Sequence, residues 1–181
     1  MDIKVEDLKV LFSEEQLQTR IKELAQEMNK FYNGESIVAI CVLKGAVMFA
    51  VDLVKSLDMP LQMEFIRLSS YGSAMSTSGK VNAVDIKLPD LNGRNVLIIE
   101  DIVDTGYTLH TVLPILKERG AATIEIVTLL DKPDGRLVDD INPKYVGFNV
   151  PKAFLVGFGL DYKQKYRNLP FVGILKEEVY K

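Results

Sequence analysis

Seven consecutive apolar residues, Ile37 to Leu43, run without polar alternation, a second apolar run follows at Val96–Ile99, and further strands are expected at Leu61–Leu68 and 122–130. Apolar runs of this length read as buried strands. Helix signals fall between them. Ser13, followed three residues later by Gln16, is placed for a capping box. Leu17, Ile21, Leu24 and Met28 then recur at spacings of three and four, which predicts a helix over 13–32, closed by Asn33 and Gly34. Ala46–Leu57 reads as a second helix and 105–119 as a third, with Gly120 as its stop. Pro114 falls inside that third helix and is expected to kink or split it. Asn92 and Gly93 mark a turn, and short strands are expected near 145–149, 153–158 and 171–175. Strands alternating with helices predict an α/β fold with a mostly parallel central sheet flanked by helices. At 181 residues the chain fits one domain.

In such sheets ligands bind outside the carboxyl ends of the strands. The stretch Val96–Leu109 places unusual chemistry at one of those ends. Glu100 and Asp101 follow the apolar run at once; then come Asp104, Thr105, Gly106, Tyr107 and Thr108, opening the third helix. Backbone N–H groups of 105–108 can face an anion, and the helix dipole favours negative charge there. The two carboxylates one turn earlier can accept hydrogen bonds from sugar hydroxyls. An ordinary N-cap explains an isolated Asp and Thr, but not the whole run. The segment is not a Walker loop, and the G-x-G-x-x-G spacing is absent.

Other strand ends add charge. Lys44 and Gly45 close the first buried run; they read as a solvated lysine and a turn glycine, or as a tight turn donating N–H groups to a pyrophosphate. Residues 69–80, with Ser70 and Tyr71 near their start, have little apolar character and read as a long mobile loop of the kind used as a lid. Lys132 ends the strand over 122–130. Asp161, Tyr162 and Arg167 lie beyond the apolar stretch 154–160. Phe154 fits a core position, though an aromatic can also stack on a base.

Composition closes off several classes. A net charge of −3 gives no support for broad nucleic-acid binding. The one cysteine, Cys41, sits in the first apolar run and reads as an inert thiol in a reducing compartment. No apolar segment reaches membrane-spanning length, and Met1–Glu6 lacks a signal-peptide layout, so the cytoplasm is the expected location. The single histidine, His110, supports neither a nucleophile triad nor a zinc cluster.

Taken together, the segments Leu43–Gly45, Ser70–Gly72, Glu100–Thr108, Lys132–Pro133 and Val156–Tyr162 with Arg167 resemble the 6-oxopurine (hypoxanthine and hypoxanthine-guanine) branch of the type I phosphoribosyltransferases, in its bacterial form. The resemblance covers nearly the whole chain. It implies a core over about 34–140 and a small hood built from about 1–12 and 141–181. It implies transfer of the 5-phosphoribosyl group from 5-phosphoribosyl 1-diphosphate (PRPP) to hypoxanthine or guanine, with Mg²⁺. Carried over by motif, Glu100 and Asp101 hold the ribose hydroxyls directly or through magnesium, and Asp104 manages the proton at purine N7. Thr105, Gly106, Tyr107 and Thr108 cradle the 5′-phosphate. Lys44, Gly45, Ser70, Tyr71 and Arg167 meet pyrophosphate; the family often has a cis peptide before that lysine. Lys132 donates to the 6-oxo group, Phe154 stacks on the base, Leu155 presents backbone to its 2-position, and Asp161 lies at the base and at a second Mg²⁺. Small-molecule substrates and a homodimer or homotetramer are the implied partners, without nucleic acid or membrane. The alternatives are a nucleic-acid-binding regulator on the same fold, which would need a basic face or an added domain and is disfavoured by the net charge of −3 and the expected single domain, and a transferase for another base such as xanthine. Lys132 opposes adenine, because an ammonium only donates and adenine carries a 6-amino donor.

Overall fold

A computed structural model of the chain describes residues 8–67 and 88–180. In chain order its elements are β1 (Leu8–Phe12), α1 (Glu14–Tyr32), β2 (Ile37–Leu43), α2 (Val47–Val54), β3 (Leu61–Arg67), β4 (Asn95–Val103), α3 (Tyr107–Glu118), β5 (Thr123–Asp131), β6 (Tyr145–Asn149), β7 (Leu155–Val156), β8 (Val172–Leu175) and α4 (Glu177–Tyr180). The expected loop 69–80, with Ser70 and Tyr71, lies outside the described residues.

Five strands form one parallel sheet in the order β3-β2-β4-β5-β6. Alternate residues of each strand point to opposite faces, and both faces are covered. Ala39, Cys41, Leu97, Ile99, Val127 and Leu129 pack with Leu17, Leu24, Phe49 and Leu53 of α1 and α2. Val38, Ile40, Val96, Ile98 and Ile126 pack with Leu109, Val112 and Leu116 of α3. Two-sided burial is why the strand sequences show continuous apolar runs. The Ser13 capping box forms as expected: the Ser13 backbone N–H donates to Gln16 Oε1 at 2.8 Å, and the Gln16 N–H donates to Ser13 Oγ at 3.3 Å. Asn33 ends α1 in the left-handed region, at φ 46°.

Several boundaries differ from expectation. β4 continues to Val103, so Glu100 and Asp101 lie within the strand; Ile102 and Val103 keep pairing with β5. Helix α3 starts at Tyr107 and leaves Thr105 and Gly106 in the connecting turn. Pro114 does not split α3: the helix runs unbroken, and Pro114 offers no N–H to the carbonyl one turn back. The strand expected at 153–158 shrinks to β7. A second, antiparallel sheet, β1-β8-β7, joins residues near the two ends of the chain. Its strand β1 and the helix α4 were not expected. Residues 145–149 fall in the stretch assigned to the hood, but they form β6, the fifth strand of the central sheet.

Candidate active site

From β2 the chain passes outward to β3, and it resumes on the other side of β2 as β4. Connections therefore diverge between β2 and β4, leaving a crevice at their carboxyl ends. An open cleft of about 440 Å³ occupies that place, with Lys44, Gly45, Glu100, Asp101, Thr105, Tyr107, Thr108, Asp161 and Arg167 on its walls. The peptide joining Leu43 to Lys44 is cis. Gly45 passes so close to Asp101 that a Cβ there would collide with the carboxylate and push it from its place at the cleft.

The two acids are held against their electrostatic preference. Glu100 is buried, and its Oε2 has no hydrogen-bond partner. Burial first, and the neighbouring Asp101 second, push its carboxyl well above the usual carboxylate range. Burial likewise raises Asp101, to about 6, although the Ile102 N–H donating to Oδ1 at 2.9 Å and the nearby Arg167 oppose the shift. The Cys41 thiol lies beneath them and is pushed up to about 12, by burial and then by these two charges, which makes it inert. Two desolvated carboxyls beside an open cleft form a site that gains from sugar hydroxyls or a cation.

Beyond Val103 the chain turns through Asp104, Thr105 and Gly106 into α3. Gly106 sits at φ 85°, a conformation that turns the backbone into the helix at the cleft wall. The Tyr107 N–H meets only Thr105 Oγ1, at 3.5 Å. N–H groups at a helix start have no intrahelical partner, so this end of α3 can serve an anion.

At the neighbouring strand ends, Lys132 Nζ lies 3.4 Å from Asp104 Oδ2. The Lys132 N–H donates to the Val103 carbonyl at 2.9 Å, which fixes the pair to the β4–β5 seam. Asp161 is anchored by Arg167, at 2.6 Å from Nη2, and by the Gln164 N–H at 2.8 Å. Arg167 also donates to the Gly159 carbonyl at 2.7 Å. Asp104 and Gly106 line a smaller hollow adjoining the main cleft. Lys132, Phe154 and Leu155 stand apart from the main cleft wall: the Phe154 ring packs near Tyr162 and Tyr180, at 5.4 and 5.0 Å between centroids, and Leu155 is buried.

The chain matches the model of the phosphoribosyl transferase domain over residues 10–163. It belongs to the phosphoribosyltransferase family. It is 49% identical over 172 residues to the hypoxanthine-guanine phosphoribosyltransferases of Streptococcus thermophilus strain CNRZ 1066 and Bacillus subtilis strain 168, covering 95% of each chain in both comparisons. The solved hypoxanthine phosphoribosyltransferase of Staphylococcus aureus superposes with a TM-score of 0.93 at 43% identity, over all of both chains. The chain is thus a purine-salvage phosphoribosyltransferase with the type I fold.

Among the described residues no three of His, Cys, Asp or Glu converge to cage a metal by themselves. The donor set of this phosphoribosyltransferase still fits Mg²⁺. Glu100 and Asp101 offer carboxylate oxygens, one without a hydrogen-bond partner, and Mg²⁺ completes its shell from waters and substrate phosphates. One charged residue at this edge had no sequence signal. Arg136, in the turn after Lys132, reaches Asp131 Oδ1 at 2.5 Å and the Asp104 carbonyl at 3.4 Å.

Proposed function

We propose that the enzyme transfers the phosphoribosyl group of PRPP to N9 of hypoxanthine or guanine, releasing pyrophosphate and a nucleoside 5′-monophosphate. The Asp104–Lys132 pair carries the choice of acceptor. Their charged ends lie 3.4 Å apart, so one planar edge can meet both. A 6-oxopurine offers such an edge, with O6 accepting from the lysine ammonium and N7 exchanging a proton with the Asp104 carboxylate.

The other roles follow the cleft. Glu100 and Asp101 accept hydrogen bonds from the ribose 2′- and 3′-hydroxyls. Thr105, Gly106, Tyr107 and Thr108 hold the 5′-phosphate with backbone N–H and hydroxyl donors. Lys44, Gly45 and Arg167 bind the pyrophosphate, with Ser70 and Tyr71 completing that site. Phe154 stacks on the base, and Leu155 presents its backbone to the 2-position. Glu100 and Asp101, and at a second position Asp161, would hold Mg²⁺, which when bound would supply positive charge to the pyrophosphate leaving group. Little covalent work falls to the protein, so positioning and preorganised charge carry the rate. The enzyme works in the cytoplasm, as the buried free thiol of Cys41 suits, and self-associates as a homodimer or homotetramer. Exposed Met48 and Val51, one turn apart on α2, support self-association.

Lys132→Gln tests the acceptor site. Losing a hydrogen bond from a charged donor costs about 1.5–3 kcal/mol, roughly ten- to a hundredfold. The variant should lose that much in kcat/KM for hypoxanthine, with PRPP binding little changed. Weakened PRPP binding with an unchanged base KM would move Lys132 to the phosphate site.

A further inference from the structure

Arg136 joins the two sides of the acceptor site and belongs to neither substrate. Its Nη2 pairs with Asp131 Oδ1 at 2.5 Å, and both side chains are largely buried. Its Nη1 donates to the Asp104 backbone carbonyl at 3.4 Å. Asp131 is the last residue of β5 and immediately precedes Lys132; Asp104 immediately follows β4. One planar guanidinium therefore spans the exits of the two strands that present the catalytic pair. The same side chain supports the next residues of the loop: a Cβ on Gly106 would lie 3.1 Å from Arg136 Cδ. Its chain neighbour adds a backbone tie, the Leu137 N–H donating to the Thr105 carbonyl at 3.0 Å.

We infer that Arg136 is a positioning residue for the transfer step, fixing the Asp104 carboxylate relative to Lys132 and to the phosphate loop. The inference rests on the proposed roles of Asp104 and Lys132 at the purine edge. The physical need is specific. Side chains at two separate strand ends must meet adjacent atoms of one small ring, and a shift of about 1 Å at such a site costs about a hundredfold in rate. The backbone bond from Lys132 to Val103 ties the strand exits at Val103, and Arg136 carries the tie one residue further, to the Asp104 carbonyl. Arginine suits the task because its fork holds two acceptors in fixed geometry. A lysine there keeps a charge beside Asp131 but presents a single point of contact.

Arg136→Lys is the informative variant, since it keeps a cation beside the largely buried Asp131 carboxylate. Its kcat with hypoxanthine should fall about tenfold or more, with KM for hypoxanthine within about threefold and the thermal midpoint close to wild type. A double-mutant cycle with Asp104→Asn separates positioning from general damage. If Arg136 acts through Asp104, adding Arg136→Lys to Asp104→Asn should lower kcat by less than about twofold further. A kcat of Arg136→Lys within twofold of wild type overturns the inference, and so does a full multiplicative loss in the Asp104→Asn background. Near-normal turnover of Asp104→Asn alone overturns the underlying assignment of Asp104, and the inference falls with it. Arg136→Gln, which keeps a planar donor without charge, supplies the same cycle if the lysine variant does not fold.

Discussion

Asp101 carries the cost of the site in its own titration. Its carboxyl titrates near 6 in the fold, against an ordinary 3.8, chiefly because burial disfavours the anion. Between these values the folded state binds more protons than the unfolded state, so stability falls as pH rises. The contribution is fully present below about pH 4, is lost as pH rises through 6, and is flat above about pH 7. Glu100 shifts in the same direction. Without ligands, the stability difference between wild type and Asp101→Asn should therefore change across this window, with wild type losing ground as pH rises. Denaturant midpoints of both proteins at several pH values measure it, and a difference that is constant across the window contradicts the assignment. Glu100, Asp101 and the run to Thr108 were legible because their spacing is set by local geometry: a strand, one turn and a helix start. Arg136 was not, because its partners Asp131 and Asp104 are brought together only by the pairing of β4 with β5.

At the scale of elements, buried strands and capped helices were legible where a local signal fixed them. The Ser13–Gln16 box started α1 where expected. Removing the Ser13 hydroxyl with Ser13→Ala should cost about 0.5–2 kcal/mol of stability and leave turnover unchanged, because α1 touches no part of the cleft. Thermal unfolding with a parallel activity assay checks both, and a loss of activity at full folding would contradict the separation. Strand β1 was missed because its pattern of exposed and half-buried residues carries no clean alternation; its pairing with β8, some 160 residues distant, decides its state. The extent of β4 was missed for a related reason. Acids read as the end of a strand, yet here tertiary pairing carries the strand past them and buries Glu100. The placement of β6 in the central sheet also depends on a partner strand that no local signal names.

Across the whole molecule, the order of the strands decides where chemistry can occur. Divergence of the chain on either side of β2 opens the crevice, the exits of β2 and β4 line it with a glycine-paved turn and two acids, and the exits of β4 and β5 present a carboxylate beside an ammonium. This last pair selects a 6-oxopurine as acceptor in the function proposed. Steady-state rates with PRPP and Mg²⁺ against hypoxanthine, guanine, xanthine, adenine and orotate in turn test it most directly. Nucleoside 5′-monophosphate is expected from hypoxanthine or guanine, with adenine and orotate lower in kcat/KM by about 10⁴-fold or more, the discrimination of a site built to hydrogen-bond its substrate. Adenine or orotate used as well as hypoxanthine would contradict it.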